Sequence, residues 1–181
     1  MQVKNETKAL KAAITGTNKF DSKQLEIYFE RIRCDKKKMY ELVRGFCATY
    51  LVDSEQRPLR LRPLQMDIIV NALTYPNGDK NKQRKMAILA PRGSGKSWAL
   101  SVAVVIYMFF KRFRDLVFII APTEDQCALI FNYVLRHFQD NAFLDGLIEN
   151  YRLHNKPSIN MKGGSILRRA PISPTNQGDI L

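Results

Sequence analysis

Cysteine is scarce in this chain of 181 residues: there are three, Cys34, Cys47 and Cys127. Their number is odd and no pair has C-x-x-C spacing. That argues against a disulfide scaffold and a cysteine zinc site, and it fits a reducing, intracellular compartment. Histidine is scarcer still, and His137 and His154 lie too far apart to suggest a metal-ligand pattern. Long apolar runs are missing as well. The longest, residues 98–110, includes Ser101 and is too short to span a bilayer, so it reads as a buried helix and no membrane partner is expected. The opening residues are polar and lysine-rich, without the apolar stretch of a secretory leader. Acid is in deficit: 17 Asp plus Glu stand against 29 Lys plus Arg, a net charge of +12. Such a balance on a chain of this length favours a polyanionic partner, nucleic acid before others.

What is present is enough apolar residue, 45%, for a core of one ordinary domain, and one strong motif. Residues 90–97 read Ala90-Pro91-Arg92-Gly93-Ser94-Gly95-Lys96-Ser97. A short apolar run, 86–89, precedes them and the run 98–110 follows, which predicts strand, glycine loop and helix. Glycines let backbone N–H groups turn inward around an anion, and the helix start adds partial positive charge. A lysine at position 96 can reach a β- or γ-phosphate, and the Ser97 hydroxyl can hold Mg²⁺. The expected cofactors are ATP and Mg²⁺. The expected site comprises Pro91, Arg92, Gly93, Ser94, Gly95, Lys96, Ser97 and Trp98, with Ser97 as the metal ligand. The strict phosphate-loop pattern has glycine where this chain has Ala90.

The rest of the chain reads as follows. Residues 22–52 are helical by spacing, with Leu25, Phe29 and Ile32, then Met39, Leu42, Val43 and Phe46, on the apolar face. Pro63 opens a helix with Leu64, Ile68 and Ala72 on one side, ended by Tyr75-Pro76-Asn77-Gly78. A charged loop, 79–85, leads to the strand at 86–89. After a basic turn, the branched and aromatic run 116–120 reads as a strand buried on both faces. Thr123 caps a helix from Glu124 to about Phe138, with Cys127, Ile130, Phe131 and Val134 facing inward. Residues 158–161 and 165–168 flank Lys162-Gly163-Gly164 as a β-hairpin. The β-α-β-α order implies a parallel sheet with helices on its faces.

A nucleoside triphosphatase with such a loop also needs a second apolar strand ending in an Asp for Mg²⁺ and a Glu for water. Here the run 116–120 ends in Ala121-Pro122-Thr123, and Glu124 and Asp125 open a helix whose dipole they complement. The chain is therefore expected to stop short of its hydrolytic half, to hydrolyse little by itself, and to leave strand edges open.

These residues resemble a family. From Leu61 to Leu181 the chain is similar to the ATPase domain of tailed-phage terminase large subunits, the motors that pump DNA into capsids. The residues that carry the likeness are Gln65, the loop 90–97 with Arg92 inside it, the stretch 118–128, the hairpin around Gly163-Gly164 and the closing Gln177-Gly178-Asp179-Ile180-Leu181. The resemblance implies an α/β fold: an incomplete P-loop NTPase three-layer sandwich, with a parallel sheet and flanking helices, over residues 61–181. It would be truncated before the Walker B strand and preceded by a helical N-terminal region over residues 1–60. It implies Gln65 as the adenine-recognising glutamine, whose amide both donates and accepts, and Lys96 and Arg92 as the catalytic pair, Arg92 sensing or stabilising the γ-phosphate. The partners it implies are double-stranded DNA, the portal protein and the small terminase subunit, in a homo-oligomeric ring when the protein is full length. It implies a place in the host cell cytoplasm, outside the mature virion, and a nuclease only in a further C-terminal part. Candidate DNA contacts are Lys80, Lys82, Arg84, Lys85, Lys111, Arg112, Arg168 and Arg169. Two other readings stay open: a superfamily-2 helicase fragment, whose loops also read A-x-x-G-x-G-K-[ST], and a non-catalytic nucleotide-binding module.

Overall fold

The computed structural model describes residues 22–80, 86–89, 91–111 and 114–171. They fall into two units, one ending at Phe110 and one beginning at Lys111.

The first unit is helical: α1 is Ser22–Ile32, α2 Lys36–Tyr50, α3 Pro63–Leu73 and α4 Lys96–Phe110. The predicted apolar faces of α1 and α2 are buried, Leu25, Phe29, Ile32, Met39, Leu42, Val43 and Phe46 alike. Val102, Val105, Ile106, Phe109 and Phe110 of α4 are buried as well. Phe29 stacks on Phe110 with ring centroids 4.8 Å apart, and Phe46 meets Phe109 edge-on at 5.1 Å. Residues 22–52 are two helices rather than one helical stretch. At the break Asp35 caps α2, its carboxylate accepting from the Lys38 N–H at 3.1 Å. Arg33 then anchors the turn to the end of α3: its Nε donates to the Leu73 carbonyl at 2.9 Å, and its guanidinium lies 4.1 Å from the centre of the Tyr75 ring.

Pro63 occupies the first turn of α3, where its missing N–H costs nothing. The buried face of α3 is Ile68, Ile69, Val70 and Leu73, whereas Leu64 is exposed, so the predicted Leu64–Ile68–Ala72 line is off by part of a turn. A single 3-10 turn, Pro76–Gly78, closes the helix as expected.

Residues 86–89 form no strand, which corrects the sequence reading, and Leu89 is fully exposed. A strand is held by its ladder. Four residues have little local preference of their own, and no strand among the described residues pairs with these.

The second unit contains β1 (Leu116–Ala121), α5 (Glu124–Gln139), the short α6 (Ala142–Asp145), β2 (Ile148–Arg152), β3 (Ser158–Met161) and β4 (Ile166–Pro171). The strands form a four-stranded sheet in the order β1-β4-β3-β2. Only β1 and β4 run parallel; β4 with β3 and β3 with β2 are antiparallel. The sheet is thus mixed, not parallel as the element order suggested. Short connections between β2, β3 and β4 permit only antiparallel pairing, whereas the longer path through α5 brings β4 back alongside β1. The predicted hairpin is present, with Ile159 opposite Leu167 and Gly164 in its turn at φ +92°. Thr123 caps α5, accepting from the Gln126 N–H at 3.3 Å. This helix packs on β1 and β4. The sheet face carrying Ile119, Ile159, Met161 and Leu167 is buried. Strand β1 is buried on that face alone: Leu116 and Ile120, on the other, are about half exposed at 53% and 45%. Ser165 ties the start of β4 to the start of β1, donating to the Lys111 carbonyl at 2.6 Å and accepting from the Asp115 N–H at 3.0 Å. No helix among the described residues is long and apolar enough to cross a membrane.

Candidate nucleotide-binding site

The glycine loop sits at the start of α4, and its conformation depends on two residues. Gly93 and Gly95 have φ of +77° and +79°, the left-handed region that a side chain disfavours. Between them the Ser94 N–H reaches back to the Pro91 carbonyl at 3.4 Å, closing a tight turn. Helix α4 begins at once, with the Ala99 N–H on the Gly95 carbonyl at 2.8 Å. The Lys96 amine folds over the turn and donates to the Pro91 carbonyl at 3.1 Å. Ser94 Oγ is buried and has no hydrogen-bond partner among the described residues. Lys96, Ser97 and Trp98 are half-buried, while Pro91 and Arg92 are exposed.

Gln65, distant in sequence, lies against this loop. A Cβ placed on Gly95 would meet Gln65 Nε2 at 2.6 Å, so a side chain there would displace the end of Gln65 from the loop. The other end of the same carboxamide is occupied: Gln65 Oε1 accepts from the Arg62 N–H at 2.9 Å, capping α3. Gln65 therefore joins the first turn of α3 to the loop that opens α4. The sequence reading placed Gln65 in the site but gave no sign of this capping bond, which needs only a Gln three residues into a helix.

The structure thus brings Gln65, Gly95 and Lys96 into one neighbourhood. Ala90 lies outside the described residues. Glu124 and Asp125 belong to the other unit, where Glu124 pairs with Arg169 at 2.8 Å. Of the basic candidates, Lys80 and Arg168 are exposed, and Lys111 pairs with Asp115 at 3.9 Å. Lys82, Arg84, Lys85 and Arg112 lie outside the described residues. The three cysteines are free, as their spacing suggested. Burial holds the Cys47 thiol up at about 12 and raises the Cys127 thiol, so both stay protonated near neutral pH.

Sequence reading missed a second concavity, an open groove of about 510 Å³ in the second unit. It is formed where Leu153–Pro157 comes beside the ends of β1 and β4. Its one sequence signal is Asn155-Lys156, polar residues that take successive left-handed conformations, φ +50° and +67°.

No family model and no curated protein matches this sequence. Among solved structures, the crystal structure of the HK97 bacteriophage large terminase is similar in fold, with a TM-score of 0.58 and 18% identity over 73% of this chain. The match spans 27% of that terminase's length. The resemblance drawn from the motifs has a counterpart in fold.

Proposed function

We propose that this chain is the nucleotide-binding part of a viral DNA-packaging motor of the large-terminase kind, binding ATP with Mg²⁺ at the loop Pro91–Ser97. The observation that carries the reading is the loop itself: two left-handed glycines at the mouth of α4, with the Lys96 amine folded over them. The fold likeness to a large terminase supports the motor half of the reading.

The residues present fit a phosphate-bearing nucleotide. The buried Ser94 hydroxyl, which has no hydrogen-bond partner among the described residues, and the Lys96 amine, placed over the turn, are groups that gain from an anion. Lys96 would hold the phosphates, Ser97 the Mg²⁺, and Arg92, exposed beside the loop, would bring a guanidinium to the γ-phosphate. ATP would supply the phosphoryl chemistry, in a P-loop sandwich of which the loop and α4 are one part. Double-stranded DNA would be held through its backbone by the basic surface, independently of sequence and sensitive to salt. In the same reading, the full-length protein works as a ring together with a portal and a small subunit.

Lys96→Ala is expected to abolish Mg²⁺-dependent ATP binding, measured by calorimetry on the 181-residue chain. The same affinity in the variant would overturn the loop assignment.

A further inference from the structure

The groove in the second unit has the position and the chemistry of a ligand site. It opens at the carboxyl ends of the parallel pair β1 and β4, where Ala121 stands beside Pro171. In open α/β sheets, that is the edge at which ligands bind. Its lining includes Lys156, Arg168 and Arg169 against a single carboxylate, Glu124. Phe118, Leu153 and Pro157 supply apolar wall.

Arg169 is the centre of the groove. Its side chain is only 11% exposed, close to the ring of Phe131, with the guanidinium carbon 5.5 Å from the ring centre. One end of its guanidinium meets Glu124 Oε1 at 2.8 Å, and the other nitrogen donates to the Leu153 carbonyl at 3.3 Å. The Nε–H is buried and has no hydrogen-bond partner among the described residues. A buried N–H left unmatched is costly, and a guanidinium fork with a donor to spare suits a tetrahedral anion better than one carboxylate. Arg168, one residue earlier, is exposed on the opposite face of the strand, in register with Phe118 of β1.

We propose that this groove is a second phosphate site, independent of the loop at α4. It would take a nucleoside phosphate, either free or as a unit of a single strand. The phosphate lies on Arg169, with Lys156 contributing charge, and the base lies against Leu153 and Pro157. Glu124 holds the position of the anion until the ligand arrives and competes with it. The groove volume suits one nucleoside, and the net charge of +12 raises the local concentration of such anions.

The test uses the 181-residue chain carrying Lys96→Ala, in EDTA, so that the α4 loop makes no contribution. Calorimetric titration with AMP should give one saturable site. Lys156→Gln, a change at an exposed residue of the groove, should weaken it several-fold, up to the roughly tenfold scale of one charge-assisted hydrogen bond. Glu124→Gln should tighten it several-fold by removing the competing charge. Absence of saturable AMP binding, or an affinity unmoved by both variants, would overturn the site. Inorganic phosphate binding as tightly as AMP would overturn the nucleoside half of the proposal. A short oligothymidylate that outcompetes AMP identifies a strand as the natural source, and one that fails to compete identifies the free nucleotide; either supports the site. Because Mg²⁺-dependent ATP binding is not read in this experiment, its result stands apart from the fate of the α4 loop.

Discussion

Gly93 and Gly95 share a backbone conformation but not an environment. Nothing lies within 4 Å of a Cβ added at Gly93, whereas one added at Gly95 would collide with Gln65 Nε2 at 2.6 Å. Alanine at position 93 therefore meets only the left-handed strain, on the order of 1 kcal/mol. At position 95 it meets that strain and also pushes away the side chain that links α3 to the loop. Gly95→Ala is expected to lower thermal stability more than Gly93→Ala and to lose Mg²⁺-dependent ATP binding, whereas Gly93→Ala weakens binding in part. Paired thermal melts and calorimetry check this; equal behaviour of the two variants would mean that the Gln65 contact has no role. The glycine spacing was legible from the sequence because each glycine answers a local backbone demand. The contact with Gln65 was legible only as a position upstream of the loop. Nothing local could show that its oxygen serves the Arg62 N–H while its nitrogen faces Gly95.

The elements divide by what holds them. Helices α1 to α5 were readable because apolar spacing and caps are written within each segment: Phe29 and Phe46 fall on the buried faces that periodicity gives them, and Thr123 caps where its hydroxyl precedes a periodic run. Strands depend on partners distant in sequence, and there the reading failed in three ways. Residues 86–89 look like a strand by composition, yet no ladder among the described residues receives them. The apolar run of β1 predicts burial on both faces, but as an outer strand of the sheet it leaves Leu116 and Ile120 half open. Strand β2, Ile-Glu-Asn-Tyr-Arg, carries too few apolar residues to announce itself and exists because Asn150, Tyr151 and Arg152 pair with β3. The break between α1 and α2 is marked by a cap that apolar spacing does not show: Asp35 precedes a helix start and accepts from the Lys38 N–H. Asp35→Ala is expected to cost about 1 kcal/mol, and Asp35→Asn much less, because asparagine caps nearly as well. Urea denaturation of both variants measures the difference, and an equal loss in the two would assign the effect to charge, not to the capping bond.

At the scale of the whole molecule, an excess of positive charge meets a buried group that resists gaining more. His137, on the inner face of α5, is 7% exposed. Burial is the main reason its proton affinity falls to about 4; Asp140 opposes the shift and Arg136 adds to it. The ordinary value in an unfolded chain is near 6.5. Between these two values the unfolded chain binds a proton that the folded chain refuses, so stability rises with pH across that window and is flat above it. Going down from pH 6.5 to 5, the loss from this one residue is about 1.5 kcal/mol. Exposed carboxylates work in a lower range: Asp53 is held below its usual value first by the Arg57 N–H, and its contribution fades only as acid overtakes it there. The two effects can therefore be separated. Hydrogen exchange along α5, corrected for intrinsic rate, is expected to speed up from pH 6.5 to 5 in the native chain. In His137→Gln, the dependence over that range should flatten even though the variant is less stable at every pH. An equally steep dependence in the variant would move the acid sensitivity away from His137. It would then lie in the net charge of +12, whose self-repulsion grows with every group protonated and, unlike His137, weakens with added salt.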